Sequence, residues 1–399
     1  MRQDLDRLMR ERKLAGLVVF AYDRYSPALY YVTGQKMHYG IYFRGADGRT
    51  HLIHDPMERD QAVAAGGDHS SFAQHGLTQL MESEGQPARA FGRLIADTCA
   101  SLDIAGPIAL FGDFAAGFAH VLIERVREKD PRLTIDITHP DILSLARATK
   151  DADEISLIRH AARGAVAAMD RLRSTLSTLK RDGDHFRMNG SGTVTLGMLR
   201  RILHEEFIAH GLAEDGESIV SQGRDAGVPH NRGNDAEPLR AGAPIIVDIF
   251  PGEAGGGYHS DLTRTFCVGG PSPDLRKLYD DVHDAFRLAM SRLELGAPCR
   301  QYQDFVCDLF EQRGHATQRK NQGTEEGYVH GLGHGVGLAV HEAPRLAGPP
   351  SNVQVLEPGM VITVEPGIYL PGWGGIRLEH VFAVGATDNE ILTRFEHTL

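Results

Sequence analysis

Cysteine is scarce: the 399 residues hold four, Cys99, Cys267, Cys299 and Cys307, far apart and without a CxxC pair. That spacing excludes a disulfide framework and a zinc knuckle, and it fits the reduced, mostly buried thiols of a cytoplasmic protein. Basic charge is also in deficit. With 42 basic against 53 acidic residues the formal net charge is -11, which argues against nucleic acid or an anionic membrane as the main partner, since both need clustered positive charge. The plain consequence of the acidic surface is solubility. No stretch approaches the roughly 20 apolar residues of a membrane helix, and the opening MRQDLDRLMRERK has no apolar core of a secretory leader. Asn189-Gly190-Ser191 spells a glycosylation acceptor, without meaning in a protein that is not secreted. Low-complexity tracts and repeats of solenoid period are missing.

What is present is an ordinary globular composition, 42% hydrophobic and 24% charged, in a chain long enough for two domains. The first part alternates helix and strand signals. Leu5, Leu8 and Met9 recur at helical spacing, and AGLVVFAY (15–22) follows as an apolar strand. Phe91, Leu94 and Ile95 predict a helix, PIALFG (107–112) a strand, Phe118 to Val126 a helix, and LTIDI (133–137) a strand. This is a small α/β domain over residues 1–150. At about Lys150 a longer helix begins, capped by Asp151 or Asp153, with Ile155, Ile158, Ala162, Val166, Met169 and Leu172 on one stripe.

The second domain, 151–399, reads as α+β. KRDGDHFRMNGSGT (180–193) is polar and reads as a surface loop or insertion; helices are predicted over 197–210, 275–294 and 302–313. Strands are predicted over 243–252, 260–269, 359–370 and 374–384.

Within those strands sit acids where apolar residues are expected. Asp248 follows Pro-Ile-Ile-Val, Glu365 follows Val-Ile-Thr-Val, and Glu379 lies between Leu378 and His380-Val381-Phe382. A buried carboxylate must be neutralised, paired or bound to a metal, because its desolvation is costly. A single one would more often be an ion pair or face solvent; several together, with Asp261 in a neighbouring strand, shift the balance. PGEAGGGYHS between Asp248 and Asp261 is glycine-rich enough to turn a hairpin and set the two acids side by side, although an ordinary hairpin with solvent-facing acids fits that pair equally well.

YVHGLGHGVGLAVHEAP (328–344) adds His330, His334 and His341 among alternating glycines, which permit close backbone approach. The segment is neither GxGxxG nor HExxH, so a dinucleotide loop and a single-zinc site of that kind are unsupported. Charge sets the stoichiometry: the four carboxylates balance two divalent cations. Carboxylate-rich ligation favours manganese or cobalt, with zinc also admissible. Two adjacent ions can share a water, lower its pKa and polarise a carbonyl, so the expected reaction is hydrolysis.

The ordered set Asp248 in VDIF, Asp261 in SDLTRTF, His334 in GHGVGL, Glu365 in VEPG and Glu379 in IRLEH resembles the five-ligand pattern of the pita-bread metallopeptidase family, over most of 151–399. That family includes methionine aminopeptidase, aminopeptidase P and prolidase. The small N-terminal domain is similar to that of the prolidase and aminopeptidase P branch, also seen in creatinase. The resemblance implies a pita-bread catalytic domain in which Asp248 chelates one metal, Asp261 and Glu379 bridge both, and His334 and Glu365 complete the second. Glu365 would also handle the proton of a bridging hydroxide. His230 in GVPHNRG would contact substrate near the scissile bond, His341 would stabilise the tetrahedral intermediate, and His330 would line the proline side. Tyr369 and Arg377 would form a pair tied to the metals; Arg377 and Glu379, two apart, share a strand face. DIFP departs from the family's usual glycine after the first Asp.

The resemblance implies hydrolysis before proline, in Xaa-Pro dipeptides or, as the alternative, in longer peptides as an aminopeptidase P does. It also implies a homodimer. A metal-free creatinase-like hydrolase lacks the full ligand set, and a non-catalytic binding module of this fold usually loses ligands. A dipeptidase needs a cation for the free carboxylate of proline; Arg232 and Arg44 are candidates, although either fits an ordinary surface arginine.

Overall fold

The computed structural model describes residues 2–188, 192–214 and 218–399, and the chain folds as two compact units. The first comprises Met1–Arg147 and Gly255–Gly257, the second Ala148–Ala254 and Tyr258–Leu399. The Asn189-Gly190-Ser191 acceptor lies outside the described residues.

In the first unit the apolar run read as a strand forms Gly16–Ala21, buried at every position. It sits inside a six-stranded sheet ordered Asp68–Ser71, Thr50–His54, Gly40–Gly45, Gly16–Ala21, Pro107–Gly112, Thr134–Ile135. Pairing is antiparallel from Thr50–His54 through Gly40–Gly45 to Gly16–Ala21, and parallel elsewhere. Val18, Phe20, Ile41 and Phe43 pack with Phe91, Leu94 and Ile95 of helix Pro87–Ser101 and with Leu122 and Val126 of helix Ala116–Lys129. The last expected strand is short: only Thr134–Ile135 of 133–137 joins the sheet. Arg44 binds Asp6 through two nitrogens, Nε at 2.9 Å and Nη2 at 2.7 Å, so it is not the free cation that the dipeptidase reading sought.

The second unit opens on helix Ala152–Thr178. Asp151 caps it: its carboxylate accepts from Glu154 N while the Glu154 carboxylate accepts from Asp151 N. Ala161, Ala165, Ala168, Met169 and Leu172 bury against Leu199, Leu203 and Phe207 of helix Leu196–Ala209 and against the strands behind them. The segment read as a loop instead contains a ribbon, Lys180–Asp182 paired with His185–Arg187. Four of its six residues are exposed and Phe186 alone is buried, so no apolar alternation marked it as β.

Strands Ile219–Gln222, Ile245–Ile249 and Leu262–Phe266 form an antiparallel sheet in which Asp248 stands between Ile219 and Thr263. A second sheet runs Glu342–Arg345, His334–Gly335, Val361–Val364, His380–Ala383, Glu390–Ile391. The expected long strands 359–370 and 374–384 are each broken in two. Val361–Val364 ends before Glu365-Pro366, and Gly367–Leu370 then pairs with Gly374–Arg377 in a separate hairpin. Leu378-Glu379 interrupts the return to His380–Ala383. Pro366 has no N–H to give a ladder, which suits the break. Asp248 alone of the four acids therefore lies inside a strand; Glu365 and Glu379 occupy the breaks, and Asp261 precedes Leu262–Phe266. No helix among the described residues is long and apolar enough to cross a membrane.

Candidate metal centre

The strand ends and breaks converge on one cavity of about 760 Å³, lined wholly by residues of the second unit. Asp248, Asp261, Glu365 and Glu379 reach it, as do His230, His330, His334 and His341, with Arg377 beside them. Tyr369 does not line it; fully buried, it stands behind His330 and Arg377.

At the centre, Asp261, His334 and Glu379 are all buried, and each offers one ligand atom within 4.8 Å of the others. His334 is placed by its glycines. A Cβ at Gly333 would fall on the Thr363 carbonyl oxygen and one at Gly335 on that of Ala343, so only glycine lets the backbones meet. The His334 Nδ1–H donates to Gly335 O at 3.1 Å, which leaves Nε2 facing Glu365 Oε1 at 3.2 Å and Asp261 Oδ2 at 3.8 Å. Between an imidazole nitrogen and two carboxylates, only a proton or a metal cation makes the contact favourable.

The carboxylates show the same demand. Burial, reinforced by neighbouring acids, pushes the pKa values of Asp261 and Glu379 well above the ordinary range. Burial would raise Glu365 too, but His334, His330 and Arg377 outweigh it and hold that carboxyl down at about 2. Asp248 Oδ1 is buried and has no hydrogen-bond partner among the described residues. An orphaned carboxylate oxygen beside three converging donors fits a metal centre.

A supporting shell fixes these donors. Arg377 is almost fully buried and donates to Asp248 Oδ2 at 2.5 Å, Tyr369 Oη at 2.7 Å and Thr263 Oγ1 at 3.2 Å. Thr263 in turn donates to Glu379 Oε2 at 2.7 Å. The His330 Nδ1–H is used on Gly331 O at 2.7 Å, so its Nε2 accepts from Tyr369 Oη at 2.9 Å. Burial lowers the pKa of His330, and partial burial with the neighbouring His334 lowers that of His341 to about 4, so both rings are neutral at physiological pH. The His341 ring lies 4.3 Å from that of His334, centroid to centroid.

A lysine cannot reproduce the fork of Arg377. Arg377→Lys is expected to weaken metal binding and turnover together, by about 10–100-fold, while far-UV circular dichroism stays unchanged; metal titration with parallel assays measures both. Unchanged affinity would show that Asp248 needs no such support.

Sequence reasoning missed three residues here. Thr263 was open to it, since strand alternation places it on the face of Asp261. Phe250 lines the cavity two residues beyond Asp248. Arg345 also lines it, exposed and in no ion pair among the described residues, on the strand paired with His334. Arg232 lines the cavity as well, which leaves it a candidate; Arg44, bound to Asp6, does not.

The profile of metallopeptidase family M24 matches residues 156–386, more than half of the chain. The chain belongs to metallopeptidase family M24. All the cavity acids and histidines lie inside that match. Among curated relatives, the "Probable dipeptidase PepE" of Mycobacterium tuberculosis is 34% identical over 244 residues, 61% of this chain and 58% of that one. The "Xaa-Pro dipeptidase" of Pyrococcus furiosus is 31% identical over 183 residues, 46% of this chain and 49% of that one. The matched stretch thus spans less than two thirds of either relative. Over the whole chain, the fold is similar to a solved Xaa-Pro dipeptidase from Bacillus anthracis, with a TM-score of 0.78 at 24% identity, covering 100% of this chain and 99% of that one. The prolidase from Pyrococcus furiosus gives a TM-score of 0.74 at 20% identity, covering 98% of this chain and 100% of that one. These likenesses show the fold: a small α/β unit and a pita-bread unit.

Proposed function

We propose that the chain is a dinuclear metallopeptidase that hydrolyses the bond before proline, in Xaa-Pro dipeptides. The observation that carries the reading is the convergence of Asp248, Asp261, His334, Glu365 and Glu379 at one cavity that also holds His230, His330, His341 and Arg345. The relatives, one named a probable dipeptidase and one an Xaa-Pro dipeptidase, support the substrate class. Four carboxylates match the charge of two divalent cations, and their oxygen-rich character favours manganese or cobalt over zinc.

When bound, such a pair acidifies water and polarises a carbonyl. The chain's own groups do the rest. The oxygen of water joins the carbonyl carbon, the bond to the proline nitrogen breaks, and the proton released from water passes by way of Glu365 to that nitrogen. Glu365 suits this relay because His334, His330 and Arg377 keep it ionised despite its burial, and its Oε1 lies 3.2 Å from His334 Nε2. Neutral His341 offers an N–H to the carbonyl oxygen as it gains charge. His330, held by Tyr369 and Gly331, lines the wall where the proline ring packs. His230, exposed at the cavity, contacts the substrate near the scissile bond. Arg345 meets the free carboxylate of proline, a charge that only a dipeptide presents there. Four cysteines in no disulfide support a cytoplasmic location, and a homodimer belongs to the same reading.

Product analysis with manganese, comparing Ala-Pro with Ala-Pro-Ala at equal concentration, tests the proposal. Faster release of alanine from Ala-Pro is the expected result. A preference for the tripeptide would make the chain an aminopeptidase P, and cleavage of neither peptide by metal-loaded protein would remove the proline specificity.

A further inference from the structure

Strand Ile245–Ile249 alternates cleanly. Ile245, Val247 and Ile249 enter a hydrophobic core, whereas Asp248 turns to the cavity on the opposite face. Phe250, one residue past the strand end, shares the face of Asp248 and also lines the cavity. Ile219, paired in register with Asp248, extends the same wall and is 6% exposed. An apolar wall therefore flanks the Asp248 side of the donor set.

The other side differs. His334 shares its 4.8 Å cluster with Asp261 and Glu379, while Asp248 stands outside that cluster, tied to Arg377. Arg345 pairs in register with His334. The cavity thus carries an exposed arginine, Arg345, on the strand beside His334, and two apolar side chains, Ile219 and Phe250, beside Asp248, where the cation Arg377 is buried and committed to that carboxylate. On the dipeptidase reading given above, on which this inference rests, the proline carboxylate is drawn to Arg345 and the scissile carbonyl lies over the donors. The side chain before the scissile bond then points toward Phe250.

We propose that Phe250 is a specificity-determining residue: with Ile219 it closes the Asp248 end of the cavity and restricts the residue before proline to small side chains. A half-buried phenyl ring occupies room that a bulky substrate side chain would need. The ring lies outside the donor set and its supporting hydrogen bonds, so its size can change without loss of the metals.

The test measures kcat/KM for Ala-Pro and Phe-Pro with manganese-loaded wild type, Phe250→Leu and Phe250→Ala, with metal content determined for each. Wild type is expected to favour Ala-Pro, and Phe250→Ala to raise the Phe-Pro to Ala-Pro ratio by about tenfold or more. Phe250→Leu should fall between them, at equal metal content. A ratio that stays within about twofold while Ala-Pro is still cleaved overturns the role of Phe250 and leaves the dipeptidase reading standing. A wild type that already prefers Phe-Pro overturns it as well. If no protein cleaves either dipeptide, the dipeptidase reading fails and this inference falls with it.

Discussion

Asp261→Ala is expected to abolish turnover and tight metal binding together, with a loss beyond the roughly 10–100-fold that follows from removing an outer-shell partner. Asp261 is 4% exposed and shares the central cluster with His334 and Glu379, so its loss removes one of the three ligand atoms gathered there. Stability should move the other way. In the metal-free protein the ionised form of Asp261 is disfavoured by burial and then by Glu379, Asp248 and Glu365. Asp261→Asn keeps the shape and removes one of the repelling charges. The metal-free Asn variant is therefore expected to melt no lower than metal-free wild type, although it is inactive. Calorimetry and metal analysis on both variants check this; a fully active protein free of metal would refute the cage.

Chelation is the second large effect. Stripping the metals is expected to end activity and to lower the melting temperature. A ligand held at a thousand times its dissociation constant contributes about 4 kcal/mol to stability, which for a domain of this size is on the order of 10 °C. The loss should depend on pH with a definite sign. Asp261 and Glu379 have folded-state pKa values raised above those of the unfolded chain. Between the unfolded and folded values the folded state binds more protons, so stability falls as pH rises through that window. Metal-free protein should thus lose melting temperature as pH climbs from about 4, and metal-loaded protein should not follow it. Parallel scans with and without chelator decide; equal slopes would show that the carboxylates do not repel one another.

Much of the fold was legible because its signals are local. Helix Ala152–Thr178 appears as an apolar stripe with an acidic cap, and strand Gly16–Ala21 as an apolar run between polar neighbours. The exposed ribbon Lys180–Asp182 and His185–Arg187 was not, since a ribbon wet on most sides needs no alternation. The break at Glu365 had a local mark in Pro366, which cannot continue a ladder, whereas nothing local marked the break at Glu379, where the change of sheet is made by partners elsewhere in the chain.

By itself the sequence carried the family and named the candidate donors in order, because carboxylates and histidines set among apolar residues and glycines have few other physical uses. It also determined the helices and the α/β character of the first unit, through periodicity and capping. Only the tertiary structure decided which charges meet. Arg377 reaches Asp248 across 129 positions of chain and Thr263 reaches Glu379 across 116. The same distant pairings leave Arg345 in the cavity beside His334 while Arg44 is spent on Asp6. An arginine reads the same in sequence whether it is neutralised or left to bind a substrate. The difference lies in the carboxylate that tertiary packing brings to it, or keeps away.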